Sequence, residues 1–181
     1  NQIKSKSFSF FSFLDGHSKK NWSNKICFNL GKTLAEFHQA NNKTNFNIKN
    51  DFGLSYWEIL FLKIKKAIKE NESNFINKEI SFLKKNWPKK LPQGLIHADL
   101  FPDNIFFKNN SISGILDFYF SCYDFLIYDL AIVINAWCFI EGNFEKKKFH
   151  NIIAGYQTIR NLENNEKDAF NIMLRGASMR F

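Results

Sequence analysis

The 181 residues predict an α+β domain that is mostly helical, with a small cluster of short strands set among the helices. Apolar residues recur at helical spacing from residue 22 to 87, and again after Asp124. Between those stretches, residues 94–117 break the period into short β-prone runs separated by Pro102 and by Asn109-Asn110. A hydrophobic content of 45% belongs to a globular chain, and the length suits one domain with a core of its own.

Each element follows from local residues. "FSFFSFLDG", residues 8–16, is β-prone and ends at a glycine, predicting a strand that runs into a loop. Residues 22–40 predict a helix with Ile26, Leu30, Leu34 and Phe37 on one face. In "SYWE", residues 55–58, Ser55 is the expected N-cap and Glu58 the reciprocal partner of a capping box, opening a helix to about Glu70. Asn74 is the expected cap of the next helix, which carries Ile76, Ile80, Leu83 and Trp87 and stops at Pro88. "GLIH", "NIFFK" and "SISGILD" predict three strands, the last two joined by the Asn109-Asn110 turn. After Asp124 the pattern is helical to the end, with breaks near Gly142 and across 161–165. No internal repeat and no flexible linker interrupts it.

The net charge, 25 − 17 = +8, comes mainly from lysines in "LKIKKAIKE", "LKKNWPKK" and "FEKKKF", which predict solvated helix faces. A nucleic-acid surface needs an ordered basic stripe with stacking aromatics. The three arginines, at 160, 175 and 180, do not supply one, so no nucleic-acid partner is expected. A basic balance does favour anionic small molecules such as nucleotides. Cys27, Cys122 and Cys138 are odd in number, widely spaced and free of any CxxC, which argues for a reducing compartment and against a zinc site or disulfide framework. The most apolar run, residues 125–140, is short for a membrane span and contains Asp129 and Asn135, so it predicts a buried core helix. With no segment resembling a signal peptide, no membrane association is expected and the cytoplasm is the expected compartment.

"HADLFPDN", residues 97–104, sets four polar side chains around a proline between apolar flanks. His97, Asp99 and Asn104 read H-x-D-x-x-x-x-N, the catalytic-loop spacing of protein kinases, and a second acid, Asp117, follows the predicted hairpin. Phosphoryl transfer needs a carboxylate to orient the attacking hydroxyl and take its proton, and oxygen ligands to hold Mg²⁺ against the nucleotide phosphates. Asp99 is the expected base; Asn104 and Asp117 are the expected Mg²⁺ ligands. His97 is expected to support the loop rather than to react. Asp103 is open between a turn residue and a supporting contact. Asp129, in an apolar helix, must find partners there; in a kinase-like fold an aspartate at this place bonds to the catalytic-loop backbone. A different reading takes His97, Asp99 and Asp103 as ligands of a hydrolytic metal centre, but His17, His38 and His150 offer no complementary spacing.

"LIHADLFPDNIFF", "ISGILDFYFSCYDFLIYDLAIVINAWC" and "LRGASMRF" resemble homoserine kinases of the aminoglycoside-phosphotransferase-like type, which share a fold with choline kinase. The resemblance covers essentially the whole chain and is densest from Gly94 to Cys138. It implies a protein-kinase-like C-terminal lobe and transfer of the γ-phosphate of ATP to the side-chain hydroxyl of L-homoserine, on the route to threonine. A sister kinase acting on choline, ethanolamine, an aminoglycoside or a sugar is the alternative. No glycine-rich phosphate loop and no strand lysine of the kinase kind occurs in the sequence. The resemblance implies that both lie in an N-terminal lobe that precedes the chain. Residues 1–16 are then a hinge or linker strand, with Phe11 and Phe13 at the adenine, and residues 17–181 the C-terminal lobe, short of its last helices. Activity is expected of the parent protein and not of these residues alone. Homoserine offers an ammonium, for which Asp124 is a candidate, and a carboxylate, for which Arg175 and Arg180 are candidates. Helix-surface or core-bracing roles stand beside each of these. Phe118, Tyr119, Phe120 and Trp137 are candidates for pocket wall or core.

Overall fold

The computed structural model describes residues 2–3, 6–7, 12–40 and 48–181. Six helices and four two-stranded antiparallel sheets are seen among them: β1(Gln2–Ile3) with β2(Lys6–Ser7), β3(Gln93–Ile96) with β6(Cys122–Phe125), β4(Ile105–Lys108) with β5(Ser111–Ile115), and β7(Phe139–Ile140) with β8(Asn143–Phe144). The helices are α1(Asn24–Ala40), α2(Leu54–Ile64), α3(Glu70–Asn86), α4(Leu126–Trp137), α5(Lys146–Gln157) and α6(Asn164–Arg180). The α+β class expected from the sequence is the class observed.

α4 is the axis of the core. Ten of its twelve residues are buried, Asp129 among them. α1 crosses α5 at a point where both helices have a glycine. A Cβ on Gly31 would lie 2.0 Å from the Ile152 carbonyl oxygen, and one on Gly155 would lie 1.9 Å from that of Phe28. The absence of side chains there lets the two backbones touch, and it seats Leu30, Leu34 and Ile152 in one cluster. The three cysteines are buried and free; burial pushes their thiols up to about 11, 12 and 12 for Cys27, Cys122 and Cys138.

Several local expectations change. Residues 8–11 of the predicted first strand lie outside the described residues; residues 12–16 have no regular structure, and among the described residues the rung nearest them is the bridge of His17 to Phe107. Gly16, at φ 137°, takes the chain out of strand geometry just before that rung. Ser55 does not cap α2: the N-cap is Gly53, and Glu58 pairs with Lys84 of α3 at 2.7 Å. α2 stops at Ile64, well before Glu70. α3 begins at Glu70, not at Asn74, because Glu72 accepts from the Lys69 backbone amide at 3.1 Å and Glu70 and Glu72 complement the positive end of the helix. The break near Gly142 is a hairpin, turned by Glu141 and Gly142 at positive φ. An unexpected strand, β6, pairs residues 122–125 with β3, and the helix expected after Asp124 begins at Leu126.

Candidate active site

β3 ends at Ile96, paired with Cys122 of β6, and the next residue is His97. The loop that follows is held by one buried carboxylate. Asp129 Oδ2 accepts from the His97 amide at 2.8 Å, and Oδ1 accepts from the Ala98 amide at 2.9 Å. Ala98 sits at φ 63°, a left-handed conformation that costs a non-glycine residue about 1–2 kcal/mol. The two Asp129 bonds hold the chain in that geometry and swing Asp99 outward. Trp137, fully buried, donates its indole N–H to the Leu100 carbonyl at 2.8 Å. Trp137 is therefore core and loop support, not pocket wall. Turn bonds from Phe101 to the Asp99 carbonyl and from Asn104 to the Phe101 carbonyl complete the loop, with Pro102 opening a short 3₁₀ turn.

Both ring nitrogens of His97 are engaged. Nε2 donates to the Leu116 carbonyl at 2.8 Å and Nδ1 accepts from the Asp99 amide at 3.3 Å. The histidine thus ties the loop to the end of the β4–β5 hairpin and offers no lone pair to a metal. Asp103 is exposed within the 3₁₀ turn. The engagement of both ring nitrogens removes His97 from the hydrolytic-metal reading.

Asn104 Nδ2 donates to the Asp99 carbonyl at 2.7 Å and to Asp99 Oδ2 at 3.1 Å. Its Oδ1 is left available as an oxygen donor. The Leu116 amide donates to the Asn104 carbonyl at 2.9 Å, which brings the next residue, Asp117, beside the loop. Asp117 is exposed, left-handed at φ 55°, and accepts only a long bond from the Tyr119 amide at 3.3 Å. The asparagine oxygen and the mostly free carboxylate are hard donors that fit Mg²⁺. Among the described residues no group of three His, Cys, Asp or Glu side chains converges, so phosphate and water oxygens would complete such a sphere. Burial raises the Asp99 carboxyl above the usual carboxylate range; His97, Asn104 and Arg180 pull it down, and Asp117 adds to the rise.

The remaining expected residues separate. Asp124, on β6, accepts from Asn50 at 2.6 Å and from the Phe125 amide at 2.7 Å, and burial raises its carboxyl against those bonds. Arg180 donates to Asn50 Oδ1 at 3.2 Å and lies near Asp99 and Asp124. Arg175 does not join them: its guanidinium forks onto Glu79 of α3, at 2.6 Å for Nε, and stacks on Phe82. Phe13 is 94% exposed, and Phe11 lies outside the described residues. Phe118 and Tyr119 are exposed beside Asp117.

Sequence reasoning missed His38, Asn50 and Tyr128. His38, fully buried on α1, donates from Nε2 to Asp129 Oδ2 at 3.1 Å and accepts from the Tyr156 hydroxyl at 2.8 Å. A signal existed, since His38 follows Leu34 by four residues on the apolar face of α1. Burial would raise the Asp129 carboxyl, but the hydrogen bonds it accepts from His38 and from the His97 amide outweigh this and hold it below the ordinary value.

Residues 1–161 match a family model described as a phosphotransferase enzyme family. The homoserine kinase of Sinorhizobium medicae is 38% identical over 174 residues, 94% of this chain and 53% of the relative. Those of Parvibaculum lavamentivorans and Rhizobium etli are 40% and 41% identical over 94% of this chain and 54% of each relative. The chain spans about half the length of the curated relatives it matches. A solved amicoumacin kinase in complex with AMP-PNP and Ca²⁺ superposes with a TM-score of 0.71 at 16% identity, over 91% of this chain and 52% of that one. Choline kinase from Cryptosporidium parvum Iowa II superposes with a TM-score of 0.68 at 16% identity, over 93% and 61%. At these identities the two structures speak for the fold alone, and it is the fold expected from the loop spacing. With the family match running through the loop, the hairpin and α4, the chain belongs to the phosphotransferase enzyme family.

Proposed function

We propose that this chain carries the catalytic and metal-binding part of a kinase that transfers the γ-phosphoryl group of ATP to the side-chain hydroxyl of L-homoserine. The observation that carries the reading is the placement of Asp99. It projects from a loop clamped by Asp129, and the neighbouring Asn104 both bonds to it and presents a free oxygen. The choice of acceptor rests on the names of the curated relatives at 38–41% identity.

Asp99 orients the acceptor hydroxyl and takes its proton as the new O–P bond forms and ADP departs. Asn104 and Asp117 would hold Mg²⁺, which neutralises charge on the triphosphate when bound. The rigid loop keeps these oxygens in register, and positioning is most of what phosphoryl transfer asks of a protein. In this reading residues 1–16 are the linker from an N-terminal lobe that supplies the remaining phosphate contacts, and the reaction takes place in the cytoplasm. Among the described residues no helix is long and apolar enough to cross a membrane.

The test is ATP consumption by the full-length gene product against a panel holding L-homoserine, choline, ethanolamine, an aminoglycoside and a hexose. Turnover with homoserine well above the others is the expected result. Turnover confined to another alcohol would replace the acceptor, and none with any alcohol would overturn the kinase reading. Residues 1–181 alone are expected to turn over no homoserine.

A further inference from the structure

Three distant parts of the chain meet near Asp99: the loop before α2, strand β6 and the end of α6. Asn50 is the hub. Its Nδ2 donates to Asp124 Oδ2 at 2.6 Å, and its Oδ1 accepts from Arg180 Nη1 at 3.2 Å and from the Phe52 amide at 3.0 Å. The amide therefore holds a carboxylate on one end and a guanidinium on the other. Asp124 and Arg180 form no direct ion pair. Two opposite charges kept apart by a neutral spacer leave each with capacity for a further partner.

Two more features point the same way. The Tyr128 hydroxyl, on α4, is buried and has no hydrogen-bond partner among the described residues; Arg180 approaches it without completing a bond of regular geometry. A buried hydroxyl without a partner is rare and costly unless something satisfies it. The Arg180 guanidinium also lies 5.2 Å from the Phe52 ring centroid and 5.6 Å from that of Phe120, rings that meet edge to face. These aromatic faces limit water around the cation and strengthen whatever anion it meets.

We propose that Asn50, Asp124, Tyr128 and Arg180 form the site for the α-amino-acid headgroup of the acceptor. Arg180 takes the carboxylate with its planar fork, Asp124 takes the ammonium, the Tyr128 hydroxyl donates to the carboxylate, and Asn50 fixes the spacing of the two charges. The acceptor's side chain then extends toward Asp99, whose carboxyl already feels the charge of Arg180. The proposal rests on the kinase reading above and names what that site selects.

The experiment is calorimetric binding to the full-length protein with a non-hydrolysable ATP analogue present. The probes are L-homoserine, 3-amino-1-propanol, which lacks the carboxylate, and 4-hydroxybutanoate, which lacks the ammonium. Wild-type protein is expected to favour homoserine over each by about 10-fold or more, the scale of one charge-assisted contact. In Arg180→Gln the preference over 3-amino-1-propanol collapses while that over 4-hydroxybutanoate persists; Asp124→Asn does the reverse. Tyr128→Phe weakens homoserine and 4-hydroxybutanoate but not 3-amino-1-propanol, at an unchanged melting temperature. If Arg180→Gln does not fold, Arg180→Lys keeps the charge without the fork and reads the same ratio. Homoserine that binds with these preferences but is not phosphorylated leaves the headgroup site standing and removes the proposed reaction. Homoserine that is phosphorylated, with all preferences unchanged in the variants, removes the headgroup site alone. A wild-type protein that binds no amino acid also overturns it.

Discussion

Asp129 should be the most costly polar residue in the domain to replace. Its carboxylate is fully buried and accepts from the His97 amide, the Ala98 amide and His38 Nε2. In Asp129→Asn only one oxygen remains, and the new amide N–H₂ faces a group that is itself a donor. At least one buried backbone N–H then lacks an acceptor, at about 1–3 kcal/mol, and the other bonds lose their charge assistance. A total of about 3–5 kcal/mol follows, the scale of breaking a buried ionic contact. For a chain of this size each kcal/mol moves the melting temperature by about 2–4 °C, so a fall of roughly 6–20 °C is expected. Ala98 would also be freer to leave its left-handed conformation, carrying Asp99 with it, so turnover should fall in the fraction that remains folded. Thermal denaturation and initial rates of the full-length protein at saturating ATP check both effects. A melting temperature within about 2 °C of wild type, less than 1 kcal/mol by the same conversion, would refute the claim that this carboxylate holds the loop.

The pH dependence of that stability has a definite sign. The folded Asp129 carboxyl is held below its ordinary value, so its contribution is present above the unfolded pKa and is lost as pH falls through the folded one. The gap between wild type and Asp129→Asn should hold down to about pH 4, near the unfolded aspartate value, and close below it; a gap that shrinks already between neutrality and pH 5 would contradict this. Asp99→Asn is expected to reduce homoserine-dependent turnover by roughly 10²-fold or more while leaving nucleotide affinity nearly unchanged, the range of general-base contributions. His97→Ala should lower the melting temperature, with a smaller loss of rate, because its ring bridges Asp99 and Leu116. Asp117→Asn should move the Mg²⁺ concentration for half-maximal rate upward, and an unaltered Mg²⁺ titration would remove Asp117 from the metal site. Gly155→Ala places a methyl 1.9 Å from the Phe28 carbonyl oxygen, so α1 and α5 must separate; a loss of at least about 2 kcal/mol in denaturant unfolding is expected.

Elements with strong periodicity were legible in the sequence. The apolar face of α1, the Asn109-Asn110 turn and the strands on either side of it follow from residue order alone, and both turn asparagines do take positive φ. These are local choices, decided by chemistry within a few residues. Cap positions were not legible where a distant helix competed. Ser55 and Glu58 read as a local capping pair, but Glu58 meets Lys84, 26 residues away, and α2 starts from Gly53 instead. The short strands β6 to β8 were missed for a related reason. Two to four residues carry too little pattern, and β6 becomes a strand only because β3 lies open beside it.

The candidate site divides the same way. The spacing of His97, Asp99 and Asn104 lies within one loop, so order along the chain sets their separation, and the residue types declare the chemistry. Asp117 could be added because a tight hairpin returns the chain to its starting point. Spacing along the chain does not place His38, Asn50, Asp129 or Arg180 near that loop; Asp129 is expected there from the kinase-like fold and Arg180 from the family resemblance. They arrive from four separate segments, brought together when α1, α4 and α6 bury their apolar faces in one core. The same apparent equivalence in sequence also concealed a difference: Arg175 and Arg180 lie five residues apart on one helix, yet one is committed to Glu79 and the other turns toward Asn50 and Asp99. Charge and hydrogen-bonding capacity are properties of the residue, readable in order along the chain. Which partner uses them depends on distances set by packing, and those exist only in the folded molecule.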